Sequence, residues 1–422
     1  MKPNLVISCP ATSRSGYGDH ARDLIRSLIA MDKFNIQIMD QVWGGCPRNA
    51  LTDDDIDIKS IIMKEPMRQQ PDIWIQLTVP NEFQPVGKYN IGITAGIETT
   101  QAAPQWIEGC NRMDMVIVPS QHSKYVLESS TYDKKDEQGN IQGSLKLQKN
   151  VEVLFEGLNT KIFNKTNKIP KKIKSTLDNI KEDFCFLYCG HWLSGDLGQD
   201  RKDTGMTIRV FLETFKNKSK KNQPALILKT SGADFSIPER EAIKIKIEYI
   251  KKSVQGSNLP NIYLLYGDLK PEELNGLYNH PKIKAMVSFT KGEGFGRPLL
   301  EYSMTGKPTI APNWSGQIDF LSAYGIMIPG QLTDVHKSAQ WKDVIMEGSK
   351  WFTIDYGYAA GILKDVHKNY KKHHEKTRKQ TQYIKDNFTL DEMTKQFNNI
   401  LEEHLPSFDI ELPELEELQT YE

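Results

Sequence analysis

Apolar residues along this 422-residue chain gather in short runs separated by longer amphipathic stretches. Leu5 to Ser8, Ile36 to Met39, Ile73 to Leu77, Ile91 to Thr94 and Met115 to Val118 are each of strand length, and each is followed by a polar loop containing Gly or Pro. Such unalternating runs predict strands buried on both faces, the condition of a parallel sheet covered by crossover helices. After the first run, Ala21, Leu24, Ile25 and Leu28 recur at helical spacing, with Asp19 as the predicted cap. Ser120 is read as the cap of a later helix. A second series of runs begins at Phe184 to Tyr188 and continues through Ala225 to Leu228, Ile262 to Leu265, Ala285 to Phe289 and Thr309 to Ala311. Between the two series, the lysine-rich NKTNKIPKKIKSTLDNIKED reads as linker and surface helix, with a domain boundary near Asn164. Ser129 to Asn150 lacks apolar periodicity and is predicted to be an insertion or loop. Residues from about Val335 to Ile400 are read as helical, closing on the amphipathic FTLDEMTKQFNNILEEHL.

Composition changes this picture in three respects. An apolar content of 38% with 26% charged residues fits a globular chain long enough for two or three domains. No apolar run approaches the roughly 18 residues that a membrane span needs, and the N-terminus leads straight into a strand, so a cytoplasmic protein is expected. Formal charge is zero overall, yet eight acids and no Lys or Arg follow Leu401, so the preceding residues carry a net +8. The five cysteines are scattered, with no C-x2-C pair, which predicts reduced thiols and no zinc.

The most informative stretch is IKAMVSFTKGEGFGRPLLEYSMTGKPTIAPNWSGQIDFL, from Ile283 to Leu321. It reads as strand, glycine loop, helix and strand. That order places free loop amides and the positive end of a helix at the carboxyl edge of a parallel sheet, where anionic ligands bind. Two carboxylates, Glu293 and Glu301, sit on this unit with seven residues between them. Carboxylates beside an anion site fit a ligand that carries hydroxyls as well as phosphate, as a nucleotide sugar does. Asn313, Ser315, Gly316 and Gln317 follow in the next loop and are read as further polar groups for that ligand.

GEGFGRPLLEYSMTGKPTIAPNWSG resembles the donor-site signature of the GT-B glycosyltransferases, in particular the large retaining group called family 4. The resemblance implies an α/β protein of two doubly wound, Rossmann-like domains facing an interdomain cleft. Residues 1–165 would form the acceptor-side domain, with a helix of about 385–402 packing back onto it. Residues 166–384 would form the donor domain, and 403–422 an acidic tail. By the same resemblance Glu293 lies near the transferred sugar, Glu301 binds the ribose, and Gly294, Phe295 and Gly296 supply amides. Leu269 edges the nucleobase pocket, and Gly16 and Gly18 form a loop facing the cleft. Gly157, Asn159 and Phe163 match the family's approach to the interdomain hinge. Arg201 and Lys202 would hold the diphosphate, although His191-Trp192 stands where the family commonly has Arg-Leu. Glu98, just beyond a strand end, would orient the acceptor or act as base, unless its role in the loop is structural. His20 would either touch substrate or serve in capping and packing.

The implied reaction is retaining, metal-independent transfer of a hexose or pentose from a nucleoside diphosphate sugar, with no further cofactor. The acceptor would be a glycan, lipid or protein. The basic body and the exposed HKNYKKHHEKTRKQ helix leave open a nucleic-acid partner, a modified base of the phage-DNA type. A sugar phosphorylase and a non-catalytic binding protein of the same architecture are the remaining alternatives.

Overall fold

The computed structural model describes residues 2–136, 138–232 and 235–408. In the N-terminal half the strands are β1 (Asn4–Cys9), β2 (Asn35–Asp40), β3 (Ile73–Leu77), β4 (Tyr89–Ile93), β5 (Met115–Val118), β6 (Thr131–Lys135), β7 (Ile141–Lys146) and β8 (Asn150–Val153). Its helices are α1 (Gly16–Met31), α2 (Ile56–Ser60), α3 (Pro104–Arg112) and α4 (Gln121–Ser129). Six of the strands form one parallel sheet in the order β2-β1-β3-β4-β5-β8.

The C-terminal half carries α5 (Lys171–Asp178), β9 (Cys185–Cys189), α6 (Thr204–Phe215), β10 (Ala225–Lys229), α7 (Ile237–Ser253), β11 (Ile262–Leu265), α8 (Pro271–Asn279) and β12 (Ile283–Val287). These are followed by α9 (Arg297–Ser303), β13 (Thr309–Pro312), α10 (Ile318–Leu321), β14 (Ile326–Ile328), β15 (Gly330–Asp334), β16 (Lys350–Ile354), α11 (Tyr356–Lys368), α12 (Tyr370–Asn387) and α13 (Leu390–His404). A second parallel sheet runs β11-β10-β9-β12-β13-β14. Both strand orders reverse direction beside the first strand of the half, and such a switch point opens a crevice at the carboxyl ends of the strands.

The expected strands form because both faces of the sheet are buried, Leu5, Ile7, Ile75 and Ile91 packing into one core layer and Val6, Trp74 and Val116 into the other. Three expectations need correction. Ser129 to Asn150 is not a plain loop: β6 and β7 pair antiparallel, with Tyr132 half-buried and Leu145 buried against the first sheet's outer core. The stretch read as helical from Val335 holds a short 3-10 turn at Lys337–Ala339 and then β16, which pairs antiparallel with β15, and α-helix begins only at Tyr356. Trp351, Phe352 and Ile354 of β16, which the helical reading had assigned to a helix, are buried, Phe352 and Ile354 of them in the core of the second sheet. The cap of α1 is Ser15, whose side chain accepts from the Gly18 amide, while Asp19 lies inside the first turn. Gly16 and Gly18 therefore begin the helix rather than precede it. Ser120 caps α4 as expected, accepting from the Ser123 amide.

The two halves are joined twice at one place. The chain leaving β8 forms an isolated parallel bridge from Leu158 to Thr389, just before α13. A Cβ on Gly157 would lie 2.8 Å from Leu390 Cα, so glycine permits this crossing. Thr389 caps α13, which lays Met393, Phe397, Ile400 and Leu401 into the core of the first sheet. Burying four such side chains contributes roughly 6–12 kcal/mol before chain entropy is subtracted. The acidic tail beyond Phe408 lies outside the described residues. No helix among the described residues is long and apolar enough to cross a membrane, and all five cysteines are free thiols.

Candidate active site

The glycine loop between β12 and α9 sits at the carboxyl edge of the second sheet and faces the end of β4 across the cleft. Its approach is close: a Cβ on Gly294 would lie 2.0 Å from Ala95 O, and one on Gly292 would lie 2.0 Å from Glu98 O. The room that glycine leaves here is filled by backbone of the other half. A Gly294→Ala substitution is expected to push the loop off residues 95–98 and cost about 1–3 kcal/mol, the scale of overpacking. A thermal melt checks it, and an unchanged midpoint would show that the loop and residues 95–98 do not rest against each other.

The polar loop after β13 holds this turn from below. The Glu293 amide donates to Ser315 Oγ at 3.0 Å, the Gly316 amide donates to Glu293 O at 2.9 Å, and Ser315 Oγ donates to Gln317 Oε1 at 2.9 Å. Ser315 and Gln317 are buried, so they position the loop instead of lining a ligand surface as expected. Phe295 likewise turns its ring into the core against Phe320, centroids 5.1 Å apart. The amides of Gly294, Phe295 and Gly296 have no acceptor among the described residues.

Four of the sequence-selected charges converge on this loop. Lys202 Nζ donates to both carboxylate oxygens of Glu293, at 2.5 and 2.7 Å. Arg201 Nη1 donates to Gly292 O at 2.8 Å and stands 3.5 Å from Glu293 Oε2, while its Nη2 stands 3.5 Å from Glu98 Oε1. Backbone geometry brings this about: Lys291 N donates to Arg201 O at 2.7 Å, pinning the turn before α6 to the strand end that leads into the glycine loop. Burial works to raise the Glu293 carboxyl, but Lys202 and Arg201 outweigh it and hold it below the usual range. Burial also lowers the Lys202 ammonium, against the pull of Glu293. His191 takes no part in the cluster; its Nδ1 lies 2.7 Å from Gly232 O.

The other selected residues lie around this centre. Glu301 is buried on α9, with Arg297 Nε donating to it at 3.2 Å and Tyr278 Oη at 3.3 Å. Leu269 is half-buried at the end of β11, beside an Asp268 that pairs with Arg14 of the other half at 2.8 Å. Gly16 is exposed with open space where a Cβ would stand, whereas a Cβ on Gly18 would lie 2.1 Å from Ser13 O, so Gly18 serves the turn. His20 is buried within α1, and burial pushes its pKa down to about 3, which keeps the ring neutral.

Sequence reading missed Arg297. Its guanidinium reaches Asp23 on α1 at 2.6 Å, Glu301 at 3.2 Å and Glu156 after β8 at 3.7 Å, so one cation serves three buried carboxylates. The available signal was an Arg opening the helix after Gly-Phe-Gly, beside a Glu four residues on. Lys291 was missed as well: it is 1% exposed, 3.6 Å from Asp203, and donates to Thr353 of the β16 hairpin.

One charge among three carboxylates has a pH signature. Burial pushes Glu301 from 4.5 up to about 8 and Glu156 up to about 7, and it raises Asp23 too. The folded chain then keeps protons that the unfolded chain has released, so this contribution is complete below about pH 4.5 and is lost as pH climbs through 8. Glu293, held low, acts in the opposite sense only below pH 4.5. Thermal midpoints are expected to fall between pH 5 and 8, and to fall less steeply in Glu301→Gln; equal slopes would remove Glu301 from the account.

No family model matches the chain, and no curated protein is significantly similar to it. Solved structures do match. HepE of Anabaena in complex with UDP-glucose aligns over 95% of this chain and 100% of its own, with a TM-score of 0.60 at 10% identity. The fold is GT-B. Sucrose-phosphate synthase of Thermosynechococcus elongatus shares it over 96% of this chain and 99% of its own, at 12% identity and a TM-score of 0.61. Trehalose-6-phosphate synthase OtsA shares it over 96% and 100%, at 12% identity and 0.59. In GT-B terms the Lys202–Glu293–Arg201–Glu98 cluster stands at the cleft between the two sheets, with carboxylates contributed from both sides.

Proposed function

We propose that the protein is a retaining glycosyltransferase that takes its sugar from a nucleoside diphosphate donor. The observation that carries this reading is the cluster in which Lys202 and Arg201 meet Glu293 on a loop whose amides at Gly294, Phe295 and Gly296 have no acceptor among the described residues. Two fixed cations beside free amides can neutralise a departing diphosphate, and an electrostatic contribution of that kind is commonly the largest in such a site. Glu293, released from Lys202 as phosphate takes its place, can accept hydrogen bonds from the hydroxyls of the transferred sugar. Glu301 would take the ribose, and Leu269 the edge of the base. Residues 166–384 would then be the donor domain, and 1–165 with α13 the acceptor-side domain. Family 4 membership, retention and independence from metal belong to the same proposal. HepE, whose fold this chain shares, is seen with UDP-glucose, which makes UDP-glucose the first donor to try.

The test is a thermal-shift screen of the purified chain against UDP, GDP, ADP and their common sugar conjugates, repeated on Glu301→Ala. Ligand at about a hundredfold over Kd stabilises by about 2.7 kcal/mol, enough to move the midpoint by a few degrees. The expected result is a shift with one nucleotide class that shrinks in the variant. No shift at millimolar concentration would overturn the reading.

A further inference from the structure

Across the cleft from the donor cluster, the first turn of α1 carries an aromatic stack unrelated to the charges described above. Tyr17 and Trp43 lie face to face, centroids 4.1 Å apart and planes 27° from parallel. The Tyr17 hydroxyl is anchored at the cleft floor, 3.1 Å from Thr94 Oγ1 and accepting from the Ala95 amide at 3.2 Å. Ala95 is the residue against which Gly294 rests, so this stack stands one residue from the meeting of the two halves.

Trp43 itself is held firmly in the β2–α2 loop. Arg14 N donates to Pro47 O, Ala50 N to Thr12 O and Gln41 N to Cys9 O, which tie the loop to the end of β1 and the turn after it. Only one face of the indole is used by Tyr17. The residue is half-buried, its neighbour Val42 is 66% exposed, and Gly44 and Gly45 after it are exposed as well.

The charges at the rim decide what such a platform would take. Arg48 Nη2 is paired with Asp40 at 2.6 Å, and Arg14 is paired with Asp268 at 2.8 Å while its Nε donates to Asn49 Oδ1 at 2.8 Å. Each cation has its carboxylate. A nucleic-acid strand draws its affinity from cations set against phosphates, whereas a neutral rim of alternating donors and acceptors suits hydroxyl groups. The apolar C–H face of a pyranose fits a flat, rigid aromatic surface.

We propose that the indole surface of Trp43 that Tyr17 leaves uncovered is a carbohydrate subsite on the acceptor side of the cleft, with the exposed side chains of Arg48 and Asn49 in the same loop to meet the ring's hydroxyls. Its place in the reaction rests on the glycosyltransferase reading; the binding itself does not.

The experiment follows the indole N–H signal of Trp43 in NMR spectra of the full chain, assigned by Trp43→Phe. Maltose, cellobiose, lactose and methyl α-mannopyranoside are titrated to tens of millimolar, alongside a single-stranded oligonucleotide and UDP. At least one sugar is expected to move the Trp43 signal. Its affinity should fall about fivefold in Trp43→Ala, the size of one aromatic contact of about 1 kcal/mol, with smaller loss in Trp43→Phe and UDP affinity unchanged. The proposal is overturned if none of the sugars moves the signal, if Trp43→Ala binds the active sugar as the parent does, or if only the oligonucleotide binds. UDP binding without sugar binding would sink the subsite alone. Sugar binding without any nucleotide binding would keep the subsite and sink the transfer reading.

Discussion

Arg297→Met is expected to be the most destabilising single substitution in the cleft, at about 3–5 kcal/mol near pH 8, the usual cost of removing one partner from a buried ion pair. The physical reason is the imbalance at this position. Asp23, Glu156 and Glu301 are each less than a tenth exposed, and Arg297 is the cation that all three share. Methionine fills the volume of the stem but leaves three carboxylates with no charge to face. They can escape the penalty only by taking up protons, so the loss should be smaller at pH 5 than at pH 8. Arg297→Lys should fall between parent and methionine, because an ammonium cannot reach carboxylates in three directions as a planar guanidinium does. Denaturant midpoints of the three proteins at the two pH values decide it. A methionine variant within 1 kcal/mol of the parent at pH 8 would show that the three carboxylates are already neutral there.

The same arrangement links stability to the geometry of the cleft. Asp23 belongs to α1 and Glu156 to the segment after β8, whereas Arg297 and Glu301 open the helix that follows the donor loop. A ligand hydroxyl that engaged Glu301 would compete for the carboxylate that now receives Arg297 Nε and Tyr278 Oη. Donor binding and the hold of one half on the other would then draw on one guanidinium.

How much of this was legible in the chain depended on the range of the interactions. Ile73 to Leu77, Met115 to Val118 and Ile262 to Leu265 match their strands residue for residue, because each is a short, nearly unbroken apolar run bounded by polar loop residues. The β6-β7 hairpin was hidden by its composition: most of its described residues are exposed and polar, and among them Leu145 alone is buried. The β15-β16 hairpin was lost because the short apolar run of β16, Trp351 to Ile354, was read into the helical stretch that follows it from Tyr356. At the site, Glu293 was legible from a motif whose spacing carries its chemistry and Lys202 was selected apart from it, but that the two pair was not. The Arg297 group did not, since its members come from positions 23, 156, 297 and 301, and no local pattern relates them. Nor did sequence show that Gly292 and Gly294 accommodate the opposite half's backbone, a contact made by residues some two hundred positions away.

Glu293→Gln is expected to lower turnover about a hundredfold, and Lys202→Ala by a similar factor, the scale of removing one preorganised electrostatic group. Neither should unfold the chain: Arg201 remains beside Glu293 when Lys202 is removed, and Lys202 can shed its proton when Glu293 is neutralised, its pKa already being lowered by burial. The two variants should nonetheless differ in kind. Lys202→Ala takes charge away from the diphosphate and should weaken binding of the free nucleoside diphosphate as well as kcat. Glu293→Gln keeps both cations and removes the negative charge that competes with phosphate for them, so nucleotide affinity should hold or rise while kcat falls. The double variant should lose less than the product of the single losses, because each group is positioned by the other through contacts of 2.5 and 2.7 Å. Steady-state release of nucleoside diphosphate from the donor found in the thermal screen, with separate titration of the free nucleotide, reads all three. Near-parental turnover in both single variants would remove the cluster from the reaction. A fall in nucleotide affinity in Glu293→Gln equal to that in Lys202→Ala would mean that Glu293 serves only to hold the lysine in place.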